Sequence, residues 1–169
     1  MNLAEYSTCL LLGSNIEPEK YLPRAVNLLQ QQMAVIQTSS VWESQAIGSE
    51  GPNFLNAAVL ALTQLNADSL KEQVLRPMEV QLGRVRTADK NAPRTIDIDL
   101  ILFDQHVLDA ALWQYAHCAV PVAEILPKYQ SKTGAYLKDT AAHLSRMTPV
   151  WIRKEISTFP FSTRFQERS

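Results

Sequence analysis

Residues 95–103 read TIDIDLILF. Side chains alternate along an extended chain, so Ile96, Ile98, Leu100 and Leu102 fall on one face and Asp97 and Asp99 on the other. That pattern predicts a half-buried strand, and the segments before it set its place in a fold. Phe54 to Thr63, FLNAAVLALT, is a near-continuous apolar run that predicts a central strand. Ala34 to Ser44, rich in β-branched and aromatic residues, predicts another, and TCLLLG at residues 8–13 a short buried one stopped by Gly13-Ser14-Asn15. Leu22, Ala25, Val26, Leu29 and Met33 recur at helical spacing, with Pro23 expected in the first turn. A second helix is expected from a cap at Asn66 or Asp68, through Leu70, Val74, Met78 and Leu82, to a stop at Gly83. Pro77 should kink it by removing a backbone donor. The order strand–helix–strand–strand–helix–strand is the split-βαβ order. The expected fold class is therefore α+β, a ferredoxin-like βαββαβ sandwich with a small C-terminal helical extension near Tyr136 to Arg146. One domain is expected over residues 1–156, with 157–169 as a tail.

Composition bounds the rest. The chain has 169 residues, 46% hydrophobic and 20% charged, which suits one soluble globular domain and excludes wholesale disorder. Sixteen Lys and Arg against 17 Asp and Glu leave a net charge of -1, so a general nucleic-acid partner is not expected and any anion site must be local. Two cysteines, Cys9 and Cys118, cannot form a disulfide framework. The longest apolar run near the N-terminus, Cys9 to Leu12, is too short for a signal peptide or membrane span. The expectation is a cytoplasmic protein with no membrane partner, of unknown oligomeric state with a monomer favoured.

Chemistry concentrates in Arg84 to Asp99, RVRTADKNAPRTIDID. Asp97 and Asp99 leave one strand face with Cα atoms ~6.5 Å apart. Paired carboxylates suit hard divalent cations, which fill their remaining positions with phosphate oxygens and water. A solvated polar face of an edge strand accounts for a D-x-D pair equally simply. Just before it, Arg84, Arg86, Lys90 and Arg94 gather four cations against one acid, Asp89. Guanidinium groups grip phosphate oxygens bidentately, so this loop beside a carboxylate pair reads as a polyphosphate site. The alternative is a solvated basic loop that pairs with Asp97 and Asp99 themselves. No Walker A pattern occurs.

Lys90 to Ile101, KNAPRTIDIDLI, resembles the signature of the 6-hydroxymethyl-7,8-dihydropterin pyrophosphokinase family of folate biosynthesis. LLLGSN (Leu10 to Asn15), PNFLNAAV (Pro52 to Val59) and MEVQLGRVR (Met78 to Arg86) are similar to that family in the same order. The resemblance implies a ferredoxin-like sandwich and transfer of pyrophosphate from ATP, as co-substrate, to the pterin hydroxymethyl oxygen with release of AMP. It implies that Asp97 and Asp99 hold two Mg²⁺ ions, with Arg84 and Arg94 beside them as the catalytic set. Glu79, Arg84, Arg86, Arg94 and His117 are implied for ATP, and Ser44, Gln45, Ile47, Phe54 and Asn56 for the pterin. ATP and pterin would be the small-molecule partners.

The chain departs from the family pattern at two places. The family usually carries Pro-His, then an Arg and an aromatic, before Pro-Leu-x-Glu-Ile-x-Pro. Here Ala116-His117-Cys118 is followed directly by AVPVA and Glu124-Ile125-Leu126-Pro127. Asn91 stands where the family often has Trp. Three readings stay open: an active pyrophosphokinase with weakened pterin binding, a degenerate paralogue using another small alcohol, and a nucleotide-binding regulatory module without turnover. The residue types needed for chemistry are all retained, which favours the first. Substituting Asp97 or Asp99 is expected to change stability by little more than ~0.5 kcal/mol, as for a solvated face.

Overall fold

In the computed structural model, which describes residues 3–48 and 50–158, strand β1 (Tyr6–Ser14) pairs along its whole length with β4 (Phe54–Thr63), antiparallel, from Tyr6 opposite Thr63 to Ser14 opposite Leu55. Its other edge pairs antiparallel with β5 (Asp97–Phe103). Strands β2 (Ala34–Thr38) and β3 (Trp42–Ser44) both pair with the far edge of β4. Short strands β6 (His106–Val107) and β7 (Trp151–Ile152) extend the sheet, giving the order β6-β5-β1-β4-β3-β7 with β2 beside β4. Stripped of the extensions, this is the ferredoxin-like order expected from the sequence.

The expected single strand from Ala34 to Ser44 is broken in two. Ser39 accepts the Ala58 N–H on its hydroxyl at 2.8 Å while its own N–H bonds the Ala58 carbonyl at 2.9 Å. A side chain thus replaces one rung of the ladder, and the strand bends there. Helix α1 (Pro18–Gln32) starts a turn earlier than expected, with Pro18 in its first turn and Pro23 inside it. The second helical stretch runs from α2 (Ala67–Leu70) through a π-helical turn (Lys71–Leu75) into α3 (Arg76–Gln81). Asn66 caps it, its side chain accepting the Ser69 N–H at 2.9 Å. The wide turn sits just ahead of Pro77, so the missing donor is absorbed there.

Helices cover both faces of the sheet. On one face Leu10, Leu12, Val59, Ile98 and Leu100 pack with Leu22, Val26 and Leu29 of α1 and with Leu70, Val74 and Met78. On the other, Cys9, Leu11, Ala58 and Ile101 meet Cys118, Ala119 and Val122 of α5 (Ala116–Ile125) and Leu137 and Ala141 of α6 (Leu137–Met147). Helix α4 (Ala111–Gln114) contributes Leu112 to this second core. The strict alternation read over residues 95–103 ends at Leu102, which joins the second core because the β1–β5 register slips between Cys9 and Leu10. Among the described residues no helix is long and apolar enough to cross a membrane. Thr158, inside the expected tail, is buried and bonds the Thr38 hydroxyl at 3.1 Å; the remainder of that tail, 159–169, lies outside the described residues.

Ile101, fully buried between the sheet and the C-terminal helices, tests this second layer. Ile101→Ala should cost about 2–5 kcal/mol in denaturant unfolding. Ile36→Ala, at a side chain 47% exposed, should stay within about 0.5 kcal/mol.

Candidate active site

Gly83, at φ +82°, takes the left-handed conformation that ends α3. Its N–H bonds the Val80 carbonyl at 3.0 Å, and the Arg84 N–H bonds the Glu79 carbonyl at 2.9 Å, a six-residue closure that turns the chain back across the end of the sheet. This reversal sets Arg84 and Glu79 beside β5. Glu79 is almost fully buried, and each of its oxygens is engaged. One accepts the Ile98 N–H at 2.9 Å and lies 3.5 Å from Arg84; the other accepts from Arg86 at 2.9 Å. Burial raises its carboxyl above the usual range, against the lowering effect of the Ile98 bond and Arg84.

Asp97 is gripped twice. Arg84 bonds one oxygen and the Ile96 carbonyl, and Arg94 bonds the other oxygen at 3.0 Å. Asp99, two residues on, lacks such a clamp. Its carboxyl is pushed up to about 7, by burial first and then by the negative charge of Asp97, Asp109 and Glu79, with Arg84 opposing. The basic loop therefore does pair with the acids, but with Asp97 and Glu79. The carboxyl left without a cationic partner is Asp99, and the pressure of burial and the surrounding acids falls on it as a retained proton.

Two cavities meet at this pair. A cleft of about 540 Å³ is lined by Glu79, Arg84, Arg86, Lys90, Arg94, Asp97 and Asp99, and Lys71, Arg76, Asp89 and Asp109 complete its charged wall. A smaller cavity of about 230 Å³ is lined by Ser44, Gln45, Ile47, Phe54, Asn56, Asn91 and His117, and it shares Lys90, Arg94, Asp97 and Asp99 with the cleft. Gly13 forms part of its floor. A Cβ there would lie 3.3 Å from the Asn56 carboxamide oxygen and 3.8 Å from the Phe54 ring, so a larger residue would press into the cavity. The Asn56 carboxamide nitrogen donates to the Ser44 hydroxyl at 2.9 Å and the Trp42 carbonyl at 3.4 Å. The Arg94 guanidinium lies 5.8 Å from the Phe54 ring centre, a cation–π contact.

The five residues expected at the pterin all line the smaller cavity, and those expected at ATP line the cleft, apart from His117. His117 sits in the smaller cavity, stacked at 5.5 Å on Tyr115, with burial holding its imidazole below its ordinary range. Asn91 donates to the Gly48 carbonyl at 3.4 Å instead of supplying a ring. Lys71, Arg76 and Asp109 were not legible as site residues. They lie one helix earlier or one hairpin later than the basic loop, and only the tertiary fold brings them to the cleft. Among the described residues no group of three or more His, Cys, Asp or Glu side chains forms a metal cage. The donor set is two hard carboxylates, of which Asp99 has no cationic partner. This fits a divalent cation that takes its other ligands from phosphate and water.

Comparison with known proteins agrees with this geometry. The family model for 7,8-dihydro-6-hydroxymethylpterin-pyrophosphokinase matches residues 9–127. The 2-amino-4-hydroxy-6-hydroxymethyldihydropteridine pyrophosphokinase of Bacillus subtilis is 35% identical over 135 residues, covering 73% of this chain and 80% of that protein. The protein of the same name from Campylobacter jejuni is 40% identical over 107 residues, covering 61% and 67%. In fold, the chain is similar to a crystal structure of Plasmodium falciparum HPPK-DHPS with pterin and p-hydroxybenzoate, with a TM-score of 0.67 at 11% identity over 86% of this chain. It spans 44% of that longer chain.

The unequal treatment of the two aspartates replaces the expectation of near-neutral substitutions. Asp99 has a raised folded pKa, so it holds its proton in the folded state while the unfolded chain releases it. Stability therefore falls as pH rises from about 4 to about 7 and is flat above. Asp99→Asn should stabilise the ligand-free protein by roughly 1–3 kcal/mol at pH 8 and by nothing measurable near pH 4. Asp97→Asn should instead cost about 1–3 kcal/mol, because buried Arg84 loses its close carboxylate and keeps only the 3.5 Å contact with Glu79 and the Ile96 carbonyl. Thermal unfolding across pH 4–8 checks both signs.

Proposed function

The chain belongs to the 7,8-dihydro-6-hydroxymethylpterin-pyrophosphokinase family, and we propose that it transfers pyrophosphate from ATP to the hydroxymethyl oxygen of 6-hydroxymethyl-7,8-dihydropterin, releasing AMP, in folate biosynthesis. The observation that carries this reading is the meeting of the two cavities at Asp97, Asp99, Lys90 and Arg94. An acceptor in the smaller cavity faces a triphosphate in the larger one across that line.

The acceptor hydroxyl oxygen attacks the β-phosphorus and gives up its proton to water, and the bond from that phosphorus to the oxygen bridging it to the α-phosphorus breaks, leaving AMP. Negative charge grows on the leaving oxygen, so catalysis is chiefly positioning and electrostatic stabilisation. Arg84 and Arg94 are already held at the cleft by Asp97, and Arg86 by Glu79. Each can exchange a carboxylate oxygen for a phosphate oxygen with little movement. Asp97 and Asp99 would hold two Mg²⁺ ions, which when bound would offset triphosphate charge. His117, whose imidazole burial disfavours charging, offers a hydrogen bond within the smaller cavity. Ser44 and Trp42 occupy the Asn56 carboxamide nitrogen, which leaves its oxygen to accept from a ring N–H. Phe54 offers one stacking face. The aromatic side chains of Trp113 and Tyr115 lie outside this cavity, Trp113 stacked on Tyr129 at 6.1 Å and Tyr115 on His117.

Incubation with ATP, Mg²⁺ and the pterin should yield AMP. ADP would mark an ordinary kinase, and ATP binding without either product a regulatory module. Asp97→Ala and Asp99→Ala should abolish turnover. Phe54→Ala should weaken pterin binding by about 1–3 kcal/mol in calorimetry while leaving nucleotide affinity nearly unchanged.

A further inference from the structure

Helix α5 ends in an exposed carboxylate to which the reaction above gives no part. Glu124 reaches from the helix to the chain entering β3. One of its oxygens accepts the Ser40 N–H at 3.0 Å and the Ser40 hydroxyl at 2.7 Å. Its other oxygen accepts the Trp42 indole N–H at 2.8 Å. Hydrogen bonds to an ionised acceptor are the stronger kind, so this is a firm tie between two elements far apart in sequence. Trp42 carries the tie onward. It stands opposite Asn56 in the β3–β4 register, and its carbonyl accepts from the Asn56 carboxamide nitrogen at 3.4 Å. Ser44, two residues along and on the same face, accepts from that nitrogen at 2.9 Å. Val41, between the two residues that Glu124 holds, is buried in the first core. The other end of the helix matters as well. At about 100° per residue, helix positions seven apart lie within about 20° of each other. His117 and Glu124 thus share one stripe of α5, the first lining the smaller cavity and the second on β3.

We propose that Glu124 is a positioning residue that fixes α5 against β3 and, through Trp42, aims the Asn56 carboxamide into the smaller cavity. Its consequence for the pterin rests on the function proposed above. The chemistry of the position is specific, because the three donors that converge on Glu124 ask for two acceptor oxygens at one reach. Glutamine keeps one oxygen and sets an N–H₂ group where the second stood, so one of the two partners is lost. Trp42→Phe removes the indole N–H from the other side of the same contact and keeps an aromatic ring there.

The test compares the wild-type chain with Glu124→Gln, Trp42→Phe and the two combined, with folding checked by thermal unfolding. In each single variant the pterin KM should rise about fivefold, while kcat and the ATP KM stay within about twofold. The combination should raise the pterin KM by less than the product of the single rises, since both changes act on one contact. NMR of the ligand-free protein gives a readout that needs no turnover. The Asn56 side-chain amide resonances should shift in Glu124→Gln, which leaves every aromatic ring in place. Equal rises in both KM values would overturn the proposal, as would fully multiplicative effects in the combined variant. Asn56 resonances unmoved by Glu124→Gln would overturn it too. Failure of the wild-type chain to form AMP would remove the proposed reaction, and the Asn56 resonances would still decide whether Glu124 acts on this cavity.

Discussion

Strand β1 is hydrogen-bonded along both edges and covered on both faces, and the rest of the molecule is arranged around that fact. A strand in this position can expose nothing, so Cys9, Leu10, Leu11 and Leu12 are all apolar and all buried. The sequence accordingly shows an unbroken run there, where a one-sided strand would alternate. Polar chemistry can enter only where the cover stops, at the Gly13 end. The register then dictates what arrives: Gly13 lies opposite Asn56 on one side and Asp97 on the other. The two cavities are thus joined by backbone pairing before any side chain is placed.

The charges at that end follow from the same geometry. Glu79, Asp97 and Asp99 are brought together where little water can screen them. Glu79 and Asp97 take the guanidinium groups of Arg84, Arg86 and Arg94, while Asp99 stays uncompensated. A polyanion alone would oppose the ionisation of Asp99, and a divalent cation alone would face the arginines. Under the proposed function, a polyanion arriving with its cation leaves every charge with a partner.

Much of this was legible in the chain because the signals were local. Asp97 and Asp99 share a face by the period of a strand, and four cations within one loop need no tertiary information. The central strand and the helix ending at Gly83 were equally plain. What escaped had no local signal. Helix α5, AHCAVPVAEI, buries seven of its ten residues, including an internal Pro121, so it shows no amphipathic period to read. The break at Ser39 depends on a hydroxyl reaching Ala58, nineteen residues away. Asn15 looked like the end of a strand because its partners, Pro52 and Arg94, are distant in sequence. His117 was matched to the nucleotide, but α5 delivers it to the neighbouring cavity.

Cys118 is fully buried with Cys9 in the second core. Burial raises the Cys9 thiol to about 12 and the Cys118 thiol further still, so neither forms the reactive thiolate at neutral pH. The native molecule is consequently silent toward electrophiles. Each thiol sits across the seam between sheet and C-terminal helices, one on either side. Alkylation of this protein therefore reports the lifting of that helical layer or the unfolding of the whole chain, a chemical clock for opening of the second core.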